Sequence, residues 1–104
     1  MAEGYIGYSI PFTGEVQGAT SATQFPSASR RACKRVTITA RSDNSGSVFI
    51  GFSSSLTAPN GTSDATTGIE LIAGQSITFH IPHTELIWYI CSDTTDDFTF
   101  LIET

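Results

Sequence analysis

From Lys34 onward apolar and polar residues alternate with a period of two, the spacing that turns one face of a strand to a core and the other to water. Val36, Ile38 and Ala40 alternate with Thr37, Thr39 and Arg41, which predicts a half-buried strand. Asp43-Asn44-Ser45-Gly46 supplies turn residues, and Val48-Phe49-Ile50-Gly51-Phe52 follows as a strand apolar on both faces, so the two predict a hairpin. Ser53 to Gly68, with Pro59-Asn60-Gly61 inside it, reads as a long polar loop whose one large apolar residue is Leu56, a length usually functional or mobile. Ile69-Glu70-Leu71-Ile72 then leads through a tight turn at Gly74 into Ser76 to Ile81, where Ile77, Phe79 and Ile81 share a face. Leu86 to Cys91 is the most hydrophobic segment and predicts a central strand with its neighbour close in sequence. After the turn Ser92 to Asp97, Phe98, Phe100 and Ile102 alternate with Thr99, Leu101 and Glu103 in the last strand. Short strands roughly 8–12 residues apart predict an all-β fold, a single β-sandwich or jelly-roll-like domain over residues 33–104.

Residues 1–32 follow a different pattern. Tyr5-Ile6-Gly7-Tyr8-Ser9-Ile10-Pro11-Phe12 alternates apolar with small residues, and Pro11 ends any strand there or confines it to a sheet edge. A Ser-, Thr- and Ala-rich stretch with Gly14, Gly18 and Pro26 follows, which is linker composition. Two readings stand side by side: an extended N-terminal arm and linker that adds to a neighbour's sheet, or a first strand of the same domain followed by a long loop.

Composition fits this pattern. A chain of 104 residues suits one domain of marginal size, whose core is dense or is helped by a partner. The 28 Ser and Thr residues, many alternating with Val, Ile or Phe, are those of strands joined by polar turns. Only 14% of residues are charged, against about a quarter in ordinary soluble domains, so much of the surface is expected to be covered by something other than water. The N-terminus lacks the bases and apolar stretch of a secretion signal, and no apolar run is long enough to span a bilayer; both predict a soluble chain made in the cytoplasm, with no membrane partner.

The charges are unevenly placed. All five bases, Arg30, Arg31, Lys34, Arg35 and Arg41, fall in one short stretch, whereas the chain after Arg41 holds eight acids and no base. An acidic body argues against nucleic acid as a partner. The basic strip is either a solvated margin beside a strand or a dock for an acidic surface, another copy of this chain included.

Candidate chemistry is sparse. His80 and His83 stand three apart across Pro82 with no further metal ligand nearby, and His80 is expected on the face opposite Ile77, Phe79 and Ile81. Asp93, Asp96 and Asp97 crowd one turn without the spacing or glycine of a calcium loop, and read as turn residues. Cys33 and Cys91 read as buried thiols. No nucleophile elbow, phosphate loop or cysteine-histidine pairing stands out, so no catalytic residue, metal or cofactor is expected and the chain reads as a non-enzyme. Tyr89-Ile90-Cys91 matches the tyrosine before the second cysteine of immunoglobulin-like domains, but Trp88 lies on that same strand instead of on another. Trp88 and Tyr89 point to opposite faces and do not form one sugar-stacking platform.

The stretch from Val48 to Leu101 resembles small structural proteins of tailed-phage virions, the capsid decoration (cement) and head-fibre proteins. The matching segments are Val48-Phe49-Ile50-Gly51 before a Ser/Thr-rich loop, Gly68-Ile69-Glu70-Leu71-Ile72-Ala73-Gly74-Gln75-Ser76, Leu86-Ile87-Trp88-Tyr89-Ile90, and an acidic turn before the last strand. They cover about half the chain. The resemblance implies a homo-oligomer, often a trimer, that sits on the capsid exterior of the virion and stabilises the major capsid protein where capsomers meet. By that implication Tyr5, Ile6, Tyr8, Ile10 and Phe12 bind a capsid subunit or sister chain, and Arg30, Arg31, Lys34 and Arg35 meet acidic surface. A tail or fibre-anchoring protein shares these features, and a carbohydrate-binding or adhesin module would instead use the 53–68 loop and an exposed aromatic residue.

Overall fold

A computed structural model describes residues 11–60 and 62–104. The chain is all-β. Strands β1 (Phe12–Val16), β2 (Thr23–Gln24), β3 (Arg35–Ala40), β4 (Val48–Gly51), β5 (Ile69–Leu71), β6 (Ser76–Phe79), β7 (Trp88–Cys91) and β8 (Phe98–Glu103) form two four-stranded antiparallel sheets. One sheet has the order β1-β8-β3-β6 and the other β2-β7-β4-β5. Among the described residues the only helical elements are 3-10 turns at Ser27–Ser29 and Thr84–Leu86.

Period-two alternation explains the first sheet. In β3 and β8 every second side chain is buried, namely Val36, Ile38 and Ala40 facing Ile102, Phe100 and Phe98 in register. The alternate residues carry the polar face, where Thr37 bonds Thr78 at 2.8 Å and Thr39 bonds Ser76 at 2.7 Å. The second sheet is built from strands apolar on both faces: β4 is buried throughout, and β7 beside it buries Tyr89, Ile90 and Cys91. Val48, Ile50, Tyr89 and Cys91 join the main core cluster, which leaves Phe49 and Ile90 on the opposite face. The 53–68 loop supplies a cover there. Its Leu56 is buried and lies so close above Gly51 and Gly68 that a Cβ at either would stand 2.7 Å from its methyl carbon.

The core cluster draws on both sheets, with Tyr89 of β7 meeting Phe98 of β8 edge-on at 5.0 Å. β7 is an interior strand, as its hydrophobicity predicts. The expected hairpins are not formed: β3 and β4, β5 and β6, and β7 and β8 each divide between the two sheets. The turns at 43–46, Gly74 and 92–97 therefore pass the chain from sheet to sheet, and Gly74 does so at φ +84°. Like pairs with like instead. Alternating strands join the sheet that keeps one polar face, and the doubly apolar β4 and β7 hydrogen-bond to each other. Among consecutive strands only β4 and β5 share a sheet, joined by the long loop.

Residues 12–32, expected as arm and linker or as first strand and loop, are built into this framework. β1 pairs with β8 over Phe12–Val16 and forms one sheet edge, β2 pairs with β7, and Val16 and Phe25 are buried in the core. The expected boundary after residue 32 thus crosses hydrogen-bonded, packed structure. Phe25 is the cause: its ring meets Phe100 edge-on at 4.9 Å and its N–H donates to Ile87 O at 2.9 Å, so the linker-like composition around it conceals a core anchor. Residues 1–10 lie outside the described part of the chain.

Candidate interaction surfaces

Strand direction sorts the charges to two ends of the sheets. β3 begins, β8 ends and β1 begins at one end, where Arg35 lies opposite Glu103 and Phe12 opposite Ile102. Arg30, Arg31, Lys34 and Arg35 gather there. Arg35 forms a two-point fork with Glu103, Nε and one Nη donating to the two carboxylate oxygens at 2.7 and 2.9 Å. The pair holds the Glu103 carboxyl below its ordinary range, first through the hydrogen bond. Arg31 is half-buried with its guanidinium 3.6 Å from the Phe12 ring centroid, a cation–π contact, and its Nε is buried without a hydrogen-bond partner among the described residues. Arg30 is exposed and turns Nε to Phe25 O at 2.7 Å. Lys34 is exposed, and neither it nor Arg30 has an ion pair among the described residues.

Arg41 separates from this group. It sits where β3 ends, paired with Glu15 at 2.7 Å and with Asp43 at 3.4 Å, beside the turn carrying Asp93, Asp96 and Asp97. Hydrogen bonding to Arg41 holds Glu15 below its ordinary range, whereas burial first and Glu15 second push Asp97 up. The sequence charge runs are thus converted into a cationic end and an anionic end.

Of the residues expected to bind a partner, Tyr5, Ile6, Tyr8 and Ile10 lie outside the described residues. Phe12 is half-buried in β1 between the Phe100 ring, 6.0 Å away, and Arg31, which gives it a packing role. His80 is exposed, on the face opposite half-buried Ile77 and buried Phe79 as its position predicts. Both cysteines are thiols, Cys91 buried and Cys33 half-buried with Sγ donating to Ile81 O at 3.1 Å, and burial pushes both above the ordinary thiol range. No group of three or more metal-ligating side chains converges among the described residues. No helix there is long and apolar enough to cross a membrane.

Exposed hydrophobic residues add a surface that the sequence did not single out. Phe52 and Ile69 are 46% and 43% accessible, and Ile72 and Leu86 are also exposed. Phe52 follows β4 and meets Phe79 of β6 edge-on at 5.1 Å. Ile69 sits opposite Ile50 on the core side of β5, so Phe52 and Ile69 both lie where the edge strands β5 and β6 of the two sheets adjoin. The hint in the sequence was that Phe52 shares parity with core-facing Ile50, yet it stands at the start of a polar loop that does not cover it. No protein family, curated protein or solved structure among those known matches the chain.

Proposed function

We propose that the chain is a non-enzymatic virion structural protein, a capsid decoration protein that binds and stabilises the outer capsid surface as a homo-oligomer, a trimer by the resemblance noted above. The observation that carries this reading is the cationic end. Arg30 and Lys34 stand exposed there without ion pairs among the described residues, on the same end as the exposed Leu86, the last residue of the 3-10 turn packed against residues 29–31. A partly apolar, cationic surface suits an acidic protein face such as that of a major capsid protein, and many copies in register convert weak contacts into a held shell. Arg31 is held at that end by its contact with Phe12, and the exposed Arg35 by its pair with Glu103.

The finer architecture belongs to the same reading. Sheets ordered β1-β8-β3-β6 and β2-β7-β4-β5, with the chain crossing between them at nearly every connection, support the reading of the domain as a jelly-roll-like sandwich. Such a fold presents loops at its two ends, where the charges of this chain are collected.

Immunogold labelling with an antibody against the chain, on tailed-phage particles from its source, tests the reading. Label on the heads, lost when Arg30 and Lys34 are both replaced by Glu, is the expected result. Label confined to tails would assign the protein to a tail or fibre, and particles without label would remove it from the virion.

A further inference from the structure

We infer that the edge strand β6, together with Phe52 and Ile69 beside it, receives residues 5–10 of a second copy of this chain as an added strand. The inference rests on the self-assembly part of the reading above and specifies where assembly occurs.

The sheets have four edges. β2 is two residues long, β1 carries Glu15 in an ion pair, and β5 carries Glu70. β6, Ser76-Ile77-Thr78-Phe79, has no charge and no proline, and among the described residues it hydrogen-bonds to β3 alone. Short edges and edge charges are the usual defences against strand addition, and β6 is the longest edge that lacks them. It also borders the apolar seam of Phe52 and Ile69.

The occupant is specified by its pattern. In Tyr5-Ile6-Gly7-Tyr8-Ser9-Ile10 the residues Ile6, Tyr8 and Ile10 fall on one face and Tyr5, Gly7 and Ser9 on the other. Laid along β6, the first face meets the Phe52 and Ile69 seam, and the second continues the polar face of Ser76, Thr78 and His80. Backbone bonds then supply affinity and the alternating side chains supply specificity.

Distance assigns the segment to another copy. Phe12, Ile102, Val36 and Phe79 lie in one row across the sheet, so a strand added beyond β6 runs four strand spacings, about 19 Å, from β1. Ile10 and Phe12 of one chain are two Cα steps apart, at most about 7.6 Å. Residues 8–10 of a chain therefore do not reach alongside its own β6 while Phe12 remains in β1, so the whole 5–10 segment lies there only when it comes from another copy.

The test compares the full chain, the chain starting at Pro11 and the full chain carrying Phe52→Lys and Ile69→Lys, by sedimentation and by hydrogen exchange. The full chain is expected at a multiple of 11.1 kDa, and both altered forms at one copy. The amides of residues 76–79 should exchange about tenfold faster or more in the shortened chain, and a peptide of residues 3–12 added in trans should restore their protection. The peptide arm stands even if the double variant is unfolded by circular dichroism. Assembly that persists without residues 1–10, a monomeric full chain, or a peptide that protects any strand other than β6 overturns the inference. Head labelling reports separately: a monomer that still labels heads defeats the docking of residues 5–10 and leaves the capsid reading standing, and an oligomer that labels none does the reverse.

Discussion

The two ends of the molecule are each tied by one fully buried polar side chain, and the two solve the same problem with opposite chemistry. At the cationic end the hub is Thr84. Its Oγ1 accepts from Arg31 N at 2.9 Å and donates to Ser29 O at 3.1 Å, while Thr84 N donates to Arg31 O at 3.0 Å. At the anionic end the hub is Asp96, whose Oδ1 accepts from Ser45 N and Gly46 N at 3.1 Å each, with Oδ2 unpartnered among the described residues. The neutral hub is satisfied. The charged hub is held by only part of its carboxylate, and Gly46 and Gly18 make room for it: a Cβ at Gly46 would stand 2.5 Å from Oδ2, and one at Gly18 would fall 2.8 Å from Asp93 O and 2.9 Å from Thr94 O. Both ends therefore depend on close approach by the first third of the chain, through Gly18 at one and residues 25–31 at the other.

The largest effect follows from that shared dependence. Removing residues 1–32 takes away β1, β2, Val16 and Phe25 and strips a partner from each end. The remaining 33–104 are expected to lose cooperative thermal unfolding and near-ultraviolet circular dichroism, whereas a chain starting at Pro11 should keep both. Loss of Phe25 alone, as Ala, is expected to cost about 3–5 kcal/mol. A cooperative transition in 33–104 would show that the first strands only decorate a self-sufficient sheet pair.

What the sequence made legible differs between the same regions. Strands after Lys34 were readable from strict alternation in β3, β6 and β8 and from unbroken apolar runs in β4 and β7, and all five lie where the pattern predicts within a residue or two. Pairing was less legible, since turn residues such as Asp43-Asn44-Ser45-Gly46 serve a crossing between sheets as well as a hairpin. The usable signal was the contrast between alternating and doubly apolar strands. Phe25, Thr84 and Asp96 gave no pattern, because their burial depends on segments more than 50 residues apart meeting at the sheet ends. Of the candidate surface, the basic residues were visible as a run, but the pairing of Arg41 at the other end was not. Its place at the far end follows from the length of β3, but its pairing with Glu15 depends on the registers of β1 and β3 against β8.

Intermediate effects separate the two hubs. Asp96→Ala leaves two buried N–H groups without an acceptor and is expected to cost about 3 kcal/mol in urea unfolding, while Asp96→Asn keeps the Oδ1 acceptor, removes the buried charge, and should cost about 1 kcal/mol or less. Thr84→Val preserves shape and removes both Oγ1 bonds, for about 2 kcal/mol. If Asp96→Asn proves as costly as Asp96→Ala, the charge itself is required at that end, and the contrast drawn above between a neutral and a charged hub becomes sharper.

The smallest effect concerns the surface ion pairs, Arg35–Glu103 at one end and Arg41–Glu15 at the other. Both glutamates are held below the ordinary value of 4.5, so each contributes stability that is present above that value and lost as pH falls through its lowered one. Asp97, beside Glu15, has the opposite sign. Raised above the ordinary 3.8, it favours the fold when protonated, and that contribution disappears as pH rises through its raised value. At the anionic end the two therefore oppose each other across roughly pH 5 to 3, whereas Glu103 acts without such a neighbour. Stability measured by urea unfolding over that range should lose more of its acid slope in Glu103→Gln than in Glu15→Gln, and both differences should shrink in high salt because the pairs are exposed. An equal loss of slope in the two variants would mean that Asp97 does not oppose Glu15, and that the two ends titrate alike despite their different charge.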